Sequence, residues 1–324
     1  PPPLPVHRGA QHSGPAGVLG AGGTALAVVA KRHPPALRGI DRHWHHPTTH
    51  RCQRSRGGVG RAAIGHKGIG HATTAALAAV SDVVVSVVVN AAQTESVLFG
   101  DDGKGGAASA MRPGSTFVMC STVDPNWSVA LEARLNALGL HYVDAPISGG
   151  AAKAASGQMT MMTSAKPEAY AAAGAVLDGM AGKVYRLGDK AGAGSKVKII
   201  NQLLAGVHIA VAAEAMALGL REGVEASALY EVITNSAGNS WMFENRMAHV
   251  LAGDYTPLSA VDIFVKDLGL VLDTARASKF PLPLAATAHQ MFMQASTAGF
   301  AKEDDSAVIK IFPGITLPEG KDKA

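Results

Sequence analysis

Lys198 and Asn201 stand three residues apart in the run that opens at Gly192, reading Gly-Ala-Gly-Ser-Lys-Val-Lys-Ile-Ile-Asn. On a helix that spacing puts both side chains on one face, while Lys196 points elsewhere. A lysine and a carboxamide sharing a face in an otherwise apolar helix suit a site in which the lysine moves a proton and the amide orients a hydroxyl. They equally suit a lysine that only lays its stem along apolar surface at a helix start. A second cluster is Asp144-Ala145-Pro146-Ile147-Ser148-Gly149-Gly150. Its two glycines and serine would expose backbone N–H groups and a hydroxyl able to hold a carboxylate, or would simply turn the chain. A third is Gly20-Ala21-Gly22-Gly23-Thr24-Ala25, which satisfies G-x-G-x-x-A, with Asp41 following Gly20 by twenty-one residues. Such a turn lets a pyrophosphate sit on a helix N-terminus while an acid about 20 residues on binds the ribose. In a chain with 37 glycines an ordinary Gly-rich loop reads the same way. No metal is expected, since Cys52 and Cys120 have neither metal-type nor redox-type spacing and no His/Cys/carboxylate cluster stands out.

The elements that must position these residues begin near residue 71. Ala75 to Val80 reads as a helix end. Asp82 to Val89 reads as a strand apolar on both faces, the mark of a parallel sheet covered by helices. Further strands are expected at Ser115 to Cys120, His141 to Val143, Gln158 to Thr163 and Lys183 to Leu187. Asp124 can cap a helix that opens at Pro125 and ends before Gly139, and Pro167 opens another that ends near Met180. Alternating strands and helices predict a doubly wound α/β domain, whose ligands bind beyond the carboxyl ends of the strands. That rule directs attention to Asn90, to Ser121 through Pro125, and to Asp144 through Gly150. After Gly188 the strands stop. Ala191 to Arg221 reads as one long helix, followed by helices at Ser227 to Thr234, Trp241 to Leu251, Ala260 to Ala277, Pro283 to Thr297 and Asp304 to Ile311. Lys198 then begins the helix that joins two domains, where clefts form.

Composition bounds the rest. The chain has 324 residues, 47% hydrophobic and 17% charged, which fits a globular protein of about two domains and excludes collagenous, coiled-coil and wholly disordered chains. The stretch from Ile199 to Leu220 approaches the length of a membrane span, but Asn201, Gln202, His208 and Glu214 favour a buried core helix, so no span is expected. The two scattered cysteines favour a reducing compartment such as the cytoplasm. The net charge of +4 is unevenly placed, with residues 1 to 71 at +9 and the remainder at −5. That first segment also holds nine of the thirteen histidines. Residues 16 to 19 fit a short strand and Ala25 to Ala30 a helical run, but residues 41 to 71 show neither helical nor strand period. A nucleic-acid-binding arm, a targeting segment, and translated sequence never selected to fold each account for that tract. Trp44 is its only aromatic residue, which opposes the first, and its Pro, Gly and His load opposes the amphipathic helix of the second. No nucleic-acid partner is expected. The segments are taken as 1–70, an atypical basic stretch with a degraded first βαβ unit; 71–190, the remaining nucleotide-binding domain; 191–315, all helical; and 316–324, a polar tail.

Taken together these motifs resemble the β-hydroxyacid dehydrogenase family, which includes 3-hydroxyisobutyrate dehydrogenase and tartronate semialdehyde reductase. The resemblance covers roughly residues 71 to 315. It rests on the Ser-Thr-Val-Asp-Pro loop at 121 to 125, Asp144 to Gly150 with Gly157, the Gly192 to Asn201 pattern, and Lys266-Asp267-Leu268. Ser236 through Met242 and the run from Ser259 to Ala275 are most similar to the branch acting on L-threonate. The resemblance implies a Rossmann-type domain joined by a long helix to a helical one, in a cytoplasmic homo-oligomer, dimer or tetramer. It implies NAD, with NADP not excluded, held by Gly20, Gly22, Asn90, Thr122 and Lys266. It implies that Ser148, Gly149, Gly150 and Asn201 bind a small hydroxy acid, and that Lys198 is the acid/base in hydride transfer, its pKa lowered by burial and by Lys196 and Lys266. The first seventy residues depart from the family pattern. A chain that keeps the acid/base site but has lost dinucleotide binding is therefore the rival reading, and an imine reductase on the same fold a lesser one, opposed by Lys198.

Overall fold

The computed structural model describes residues 28–29, 49–52, 69–101, 103 and 105–319. The chain divides into two compact units, one ending at Lys198 and the other beginning at Ile199. In the first, β1 (Val28–Val29) pairs antiparallel with β2 (Thr49–Cys52), which pairs parallel with β3 (Ile69–His71). These three correct the sequence reading. The β-branched pair Val28-Val29 is strand where a helical run was expected, and residues 49–52 and 69–71 form strands where no period was visible. Backbone pairing, not an apolar face, defines them. The expected strand at 16 to 19, the glycine turn at 20 to 25 and Asp41 lie outside the described residues.

Helix α1 (Thr74–Ala78), capped by the Thr73 hydroxyl, leads into β4 (Val83–Ser86). Then follow α2 (Ala91–Phe99), β5 (Thr116–Met119), α3 (Pro125–Ala137) and β6 (His141–Asp144). Strands β4, β5 and β6 are parallel neighbours in that order, with Val83 opposite Thr116 and Thr116 opposite His141. Successive side chains alternate faces, and both faces are buried. Val84, Phe117, Met119 and Tyr142 pack with Leu77, Leu98, Leu131 and Leu135 on one side. Val83, Val85, Val118 and Val143 pack with Met161, Val176 and Leu177 on the other. Each fully buried Val or Leu contributes roughly 1.5–3 kcal/mol, so this double cover explains why the sequence there is a near-continuous apolar run. The strand is shorter than the run: it ends at Ser86, and Val87 and Val88 continue into the core as loop.

Beyond β6 lie β7 (Ile147–Ser148), α4 (Gly150–Ala155), β8 (Thr160–Thr163), α5 (Pro167–Met180) and β9 (Lys183–Arg186). Strand β8 is parallel to β9 but antiparallel to β7, so this sheet is mixed where an all-parallel one was expected. It is joined to β6 by a two-way backbone bridge between Asp144 and Ser164. Helix α6 (Ala193–Arg221) starts in this unit and runs through the second.

The second unit is helical: the rest of α6, then α7 (Ala226–Thr234), α8 (Trp241–Ala252), α9 (Val261–Ala277) and α10 (Pro283–Ala295). A five-residue π turn, Ser296–Phe300, replaces the end of the helix expected at Pro283 to Thr297, and a 3-10 helix, Asp305–Ile311, stands where an α-helix was expected at Asp304 to Ile311. The core gathers Ile209, Ala213, Met216, Met247, Leu268, Phe292 and Val308. Phe264 stacks on Phe292 at 5.2 Å between centroids. Arg246 and Asp305 form a buried ion pair. By length and hydropathy α6 could cross a membrane, yet its Ile209, Ala213 and Met216 are fully enclosed in this core, as expected of a core helix. Its opposite side is less buried than expected, with Val211 at 55% and Leu218 at 61% exposure.

Candidate active site

Because β4, β5 and β6 run in parallel, their carboxyl ends deliver three loops to one edge of the sheet. The first carries Asn90, which caps α2: its side chain accepts a hydrogen bond of 2.9 Å from the Gln93 amide. The second carries Ser121, whose hydroxyl donates to the Val88 carbonyl at 2.8 Å and lies 3.2 Å from the Thr94 hydroxyl, tying the first two loops together. Thr122 follows, half-buried, and Asp124 caps α3 through the amides of Asn126 and Trp127. Val89, apolar yet 41% exposed, sits directly before Asn90. Gly20 and Gly22, expected to hold the cofactor's phosphates, lie outside the described residues.

The third loop is built differently from a simple turn. Ser148 belongs to β7 and is half-buried, while Gly149 and Gly150 have φ of +124° and +63°. Consecutive positive φ values are open to glycine and costly to other residues. A side chain at Gly149 would also meet Lys153, whose Cβ lies 2.7 Å from where a Cβ would be. The aliphatic stem of Lys153 thus packs against the Gly149 backbone. The sequence reading passed over it because α4 itself was not foreseen.

Lys198 lies on α6 and is 7% exposed; Asn201 is half-buried one turn on. Lys196 is exposed. The start of this helix is anchored from afar. The Asp144 carboxylate, fully buried, accepts from the Gly192 amide at 2.9 Å, the Ser195 amide at 2.9 Å, the Ser195 hydroxyl at 2.7 Å and the Ser164 hydroxyl at 3.2 Å. Burial pushes the Asp144 carboxyl above its ordinary range, against these hydrogen bonds, which pull it down. Nearby Cys120 is pushed up to about 12 by burial and by the Asp144 charge.

In the helical unit, Asn201 donates to Gln202 at 3.1 Å, and Gln202 donates to Asp267 at 2.5 Å. Lys266 pairs with the same Asp267, which is 1% exposed. The charge of Lys266 is thus offset by its neighbour. Asp267 and Gln202, named in the sequence but given no site role there, are the buried polar members of this group. Their signal was a carboxylate and an amide set among apolar helical neighbours.

Parallel strand ends, a two-glycine turn and a buried lysine on α6 lie in an α/β unit followed by a helical one. Residues 19–188 match the family described as the NAD binding domain of 6-phosphogluconate dehydrogenase. Residues 192–312 match the NAD-binding domain of NADP-dependent 3-hydroxyisobutyrate dehydrogenase. An L-threonate dehydrogenase of Cupriavidus necator is 69% identical over 251 residues, 78% of this chain and 84% of the relative. One from Escherichia coli is 58% identical over 240 residues, 74% of this chain and 78% of the relative. The crystal structure of a 3-hydroxyisobutyrate dehydrogenase from Salmonella typhimurium superposes with a TM-score of 0.74 at 55% identity, covering 78% of this chain and 88% of that one. The chain belongs to the β-hydroxyacid dehydrogenase family of the 3-hydroxyisobutyrate dehydrogenase type. It is an oxidoreductase whose cofactor is NAD or NADP, and the rival reading of a silent module is not favoured.

Proposed function

We propose that this protein oxidises a short hydroxy acid, L-threonate in the first instance, with NAD as the acceptor. The observation that carries the reading is Lys198, a lysine 7% exposed in an apolar helix with Asn201 one turn further on. In the proposed reaction Lys198 is the base. Its neutral Nζ takes the proton of the substrate hydroxyl and becomes an ammonium, while Asn201 orients that hydroxyl. The N–H groups of Ser148, Gly149 and Gly150, with the Ser148 hydroxyl, hold the carboxylate. Asn90 and Thr122 line the cofactor's nicotinamide end. When bound, the nicotinamide supplies the acceptor for the carbon-bound hydride, and the product is the keto acid or semialdehyde. The L-threonate dehydrogenases among the relatives support that choice of substrate.

Lys198→Ala tests the assignment. General acid–base chemistry is worth about 10²–10⁴ in rate, so kcat on L-threonate falls by that factor. NADH affinity, read by energy transfer from the tryptophans, stays within about two-fold because the lysine has a chemical and not a binding role. Turnover equal to the parent's would overturn the assignment. The same titration with NADPH establishes the cofactor preference.

A further inference from the structure

Asp144 lies at the end of β6, in the motif expected to hold substrate, but its side chain turns away to the start of α6. That helix has glycine at its N-cap: Gly192 has φ of +102°, and a Cβ there would stand 2.9 Å from Val129. It therefore has no side chain to satisfy the free amides of its first turn, which every helix must place somewhere. Asp144 supplies them from 48 residues upstream. Its Oδ2 takes the Gly192 and Ser195 amides, its Oδ1 takes the Ser195 hydroxyl, and Ser164, bonded to the same carboxylate, accepts from the Gly194 amide at 2.9 Å. Asp144, Ser164 and Ser195 are each 1% exposed or less, so these bonds are shielded from bulk solvent. The backbone of Asp144 is itself fixed on two sides, to Met119 in β5 and to Ser164 by the two-way bridge. Ser195 and Lys198 are three residues apart on the same face of α6.

We propose that Asp144 is a positioning residue for Lys198: its carboxylate locks the first turn of α6 onto the sheet and so fixes where the Lys198 amine stands. This rests on the acid/base reading of Lys198. Asp144 touches neither substrate nor cofactor in this account; it acts one helical turn away. An amide in its place can keep its oxygen on the Gly192 and Ser195 amides, but it then puts an NH2 group on the Ser195 hydroxyl, which must reverse from donor to acceptor, and it removes the charge that strengthens all these bonds, so the turn is held less firmly.

The test is steady-state kinetics with L-threonate and NAD on the parent, Asp144→Asn, Ser195→Ala, Lys198→Ala and the Asp144→Asn/Lys198→Ala double variant. A misplacement of about 1 Å costs on the order of 10²-fold in rate, so Asp144→Asn lowers kcat by roughly 10- to 100-fold with KM within about three-fold. In the Lys198→Ala background the same substitution has no further effect on the residual rate, because the group being positioned is gone. A merely structural role would lower both rates equally, and that result overturns the proposal. So does parental kcat in Asp144→Asn beside an inactive Lys198→Ala. Parental kcat in Lys198→Ala would instead bring down the acid/base reading itself, and the proposal with it. Should Asp144→Asn fail to fold, Ser195→Ala, which removes one donor and keeps the carboxylate, carries the same contrast: a kcat loss in the parent background only supports the proposal, and no loss overturns it.

Discussion

Replacing Gly194 by alanine perturbs the start of α6 at its tightest point. A Cβ there would stand 2.4 Å from the Met162 carbonyl oxygen and 3.0 Å from that of Asp144. Both obstacles are backbone, so no rotamer change relieves them. Ordinary contact begins at 3.4 Å, and the first turn must therefore back off by about 1 Å. That stretches the 2.9 Å bonds from Gly194 to Ser164 and from Ser195 to Asp144 beyond hydrogen-bond range. Losing them and leaving a buried carboxylate short of donors costs about 1–3 kcal/mol, and the overpacking a similar amount. The better helix propensity of alanine returns at most about 1 kcal/mol. The net loss of about 2–4 kcal/mol lowers Tm by roughly 5–12 °C at about 2–4 °C per kcal/mol for a unit of this size. Thermal unfolding followed by circular dichroism reads it, with Gly179→Ala as the control. Gly179 lies in α5 with nothing within 4 Å of a Cβ, so alanine there holds or slightly raises Tm. Equal Tm for the two variants would refute the claim that the glycine is required by close approach.

Three further outcomes follow from other parts of the molecule. Arg246→Met leaves the fully buried Asp305 carboxylate without its cation, which costs about 3–5 kcal/mol at pH 7. Burial already pushes the Asp305 carboxyl up to about 6 against the pull of Arg246. A carboxyl raised in the folded state favours the fold when protonated, so stability falls as pH rises through the window between its ordinary value and the raised one. Removing Arg246 moves that window higher; the Tm of the variant therefore rises on going from pH 7 to pH 5, and a Tm that did not rise would contradict the pairing. Cys120, its thiol held up to about 12 by burial and then by the Asp144 charge, stays unmodified by a disulfide reagent at pH 8 in a folded Cys52→Ser variant and reacts on denaturation; rapid native labelling would show the strand end to be open. Lys153→Ala raises KM for the hydroxy acid several-fold with little change in kcat, since it removes a cation beside the turn proposed to hold the carboxylate; an unchanged KM would place the carboxylate elsewhere.

What could be read from the sequence followed from periodicity and local caps. The valine run at 83 to 88 announced a strand covered on both faces, and Asp124-Pro125 announced a helix start, because these signals are complete within a few residues. Helix α2 was missed because only Thr94, Val97 and Leu98 are buried along it, too few to mark a face, and because Asn90 was weighed as a ligand residue and not as a cap. Strand β7, two residues long, carries no period at all. The strands at 28–29, 49–52 and 69–71 were illegible for a related reason: backbone pairing leaves no pattern in side-chain polarity. At the candidate site, the shared face of Lys198 and Asn201 was open to reading from spacing alone. The bond between Gln202 and Asp267 was not, since it joins residues 65 apart.

The Gly-x-Gly-x-x-x-Lys pattern illustrates how one stretch of sequence answers several demands at once. The first glycine takes a positive φ that lets the chain leave the strand end and enter α6. The second permits that helix to start in contact with two carbonyl oxygens of the sheet, closer than any side chain allows. Ser195, between them and the lysine, gives both an amide and a hydroxyl to the Asp144 carboxylate. A lysine one turn later is then attached, through few and stiff links, to the same strand end from which the Ser148-Gly149-Gly150 turn departs. The relation between Lys198 and the 148–150 turn is thus set within a single unit by backbone contacts and one buried acid. Loosening the acid should cost rate before it costs substrate affinity, because the turn hangs from β7 and the lysine from α6, and only the latter depends on Asp144 for its register.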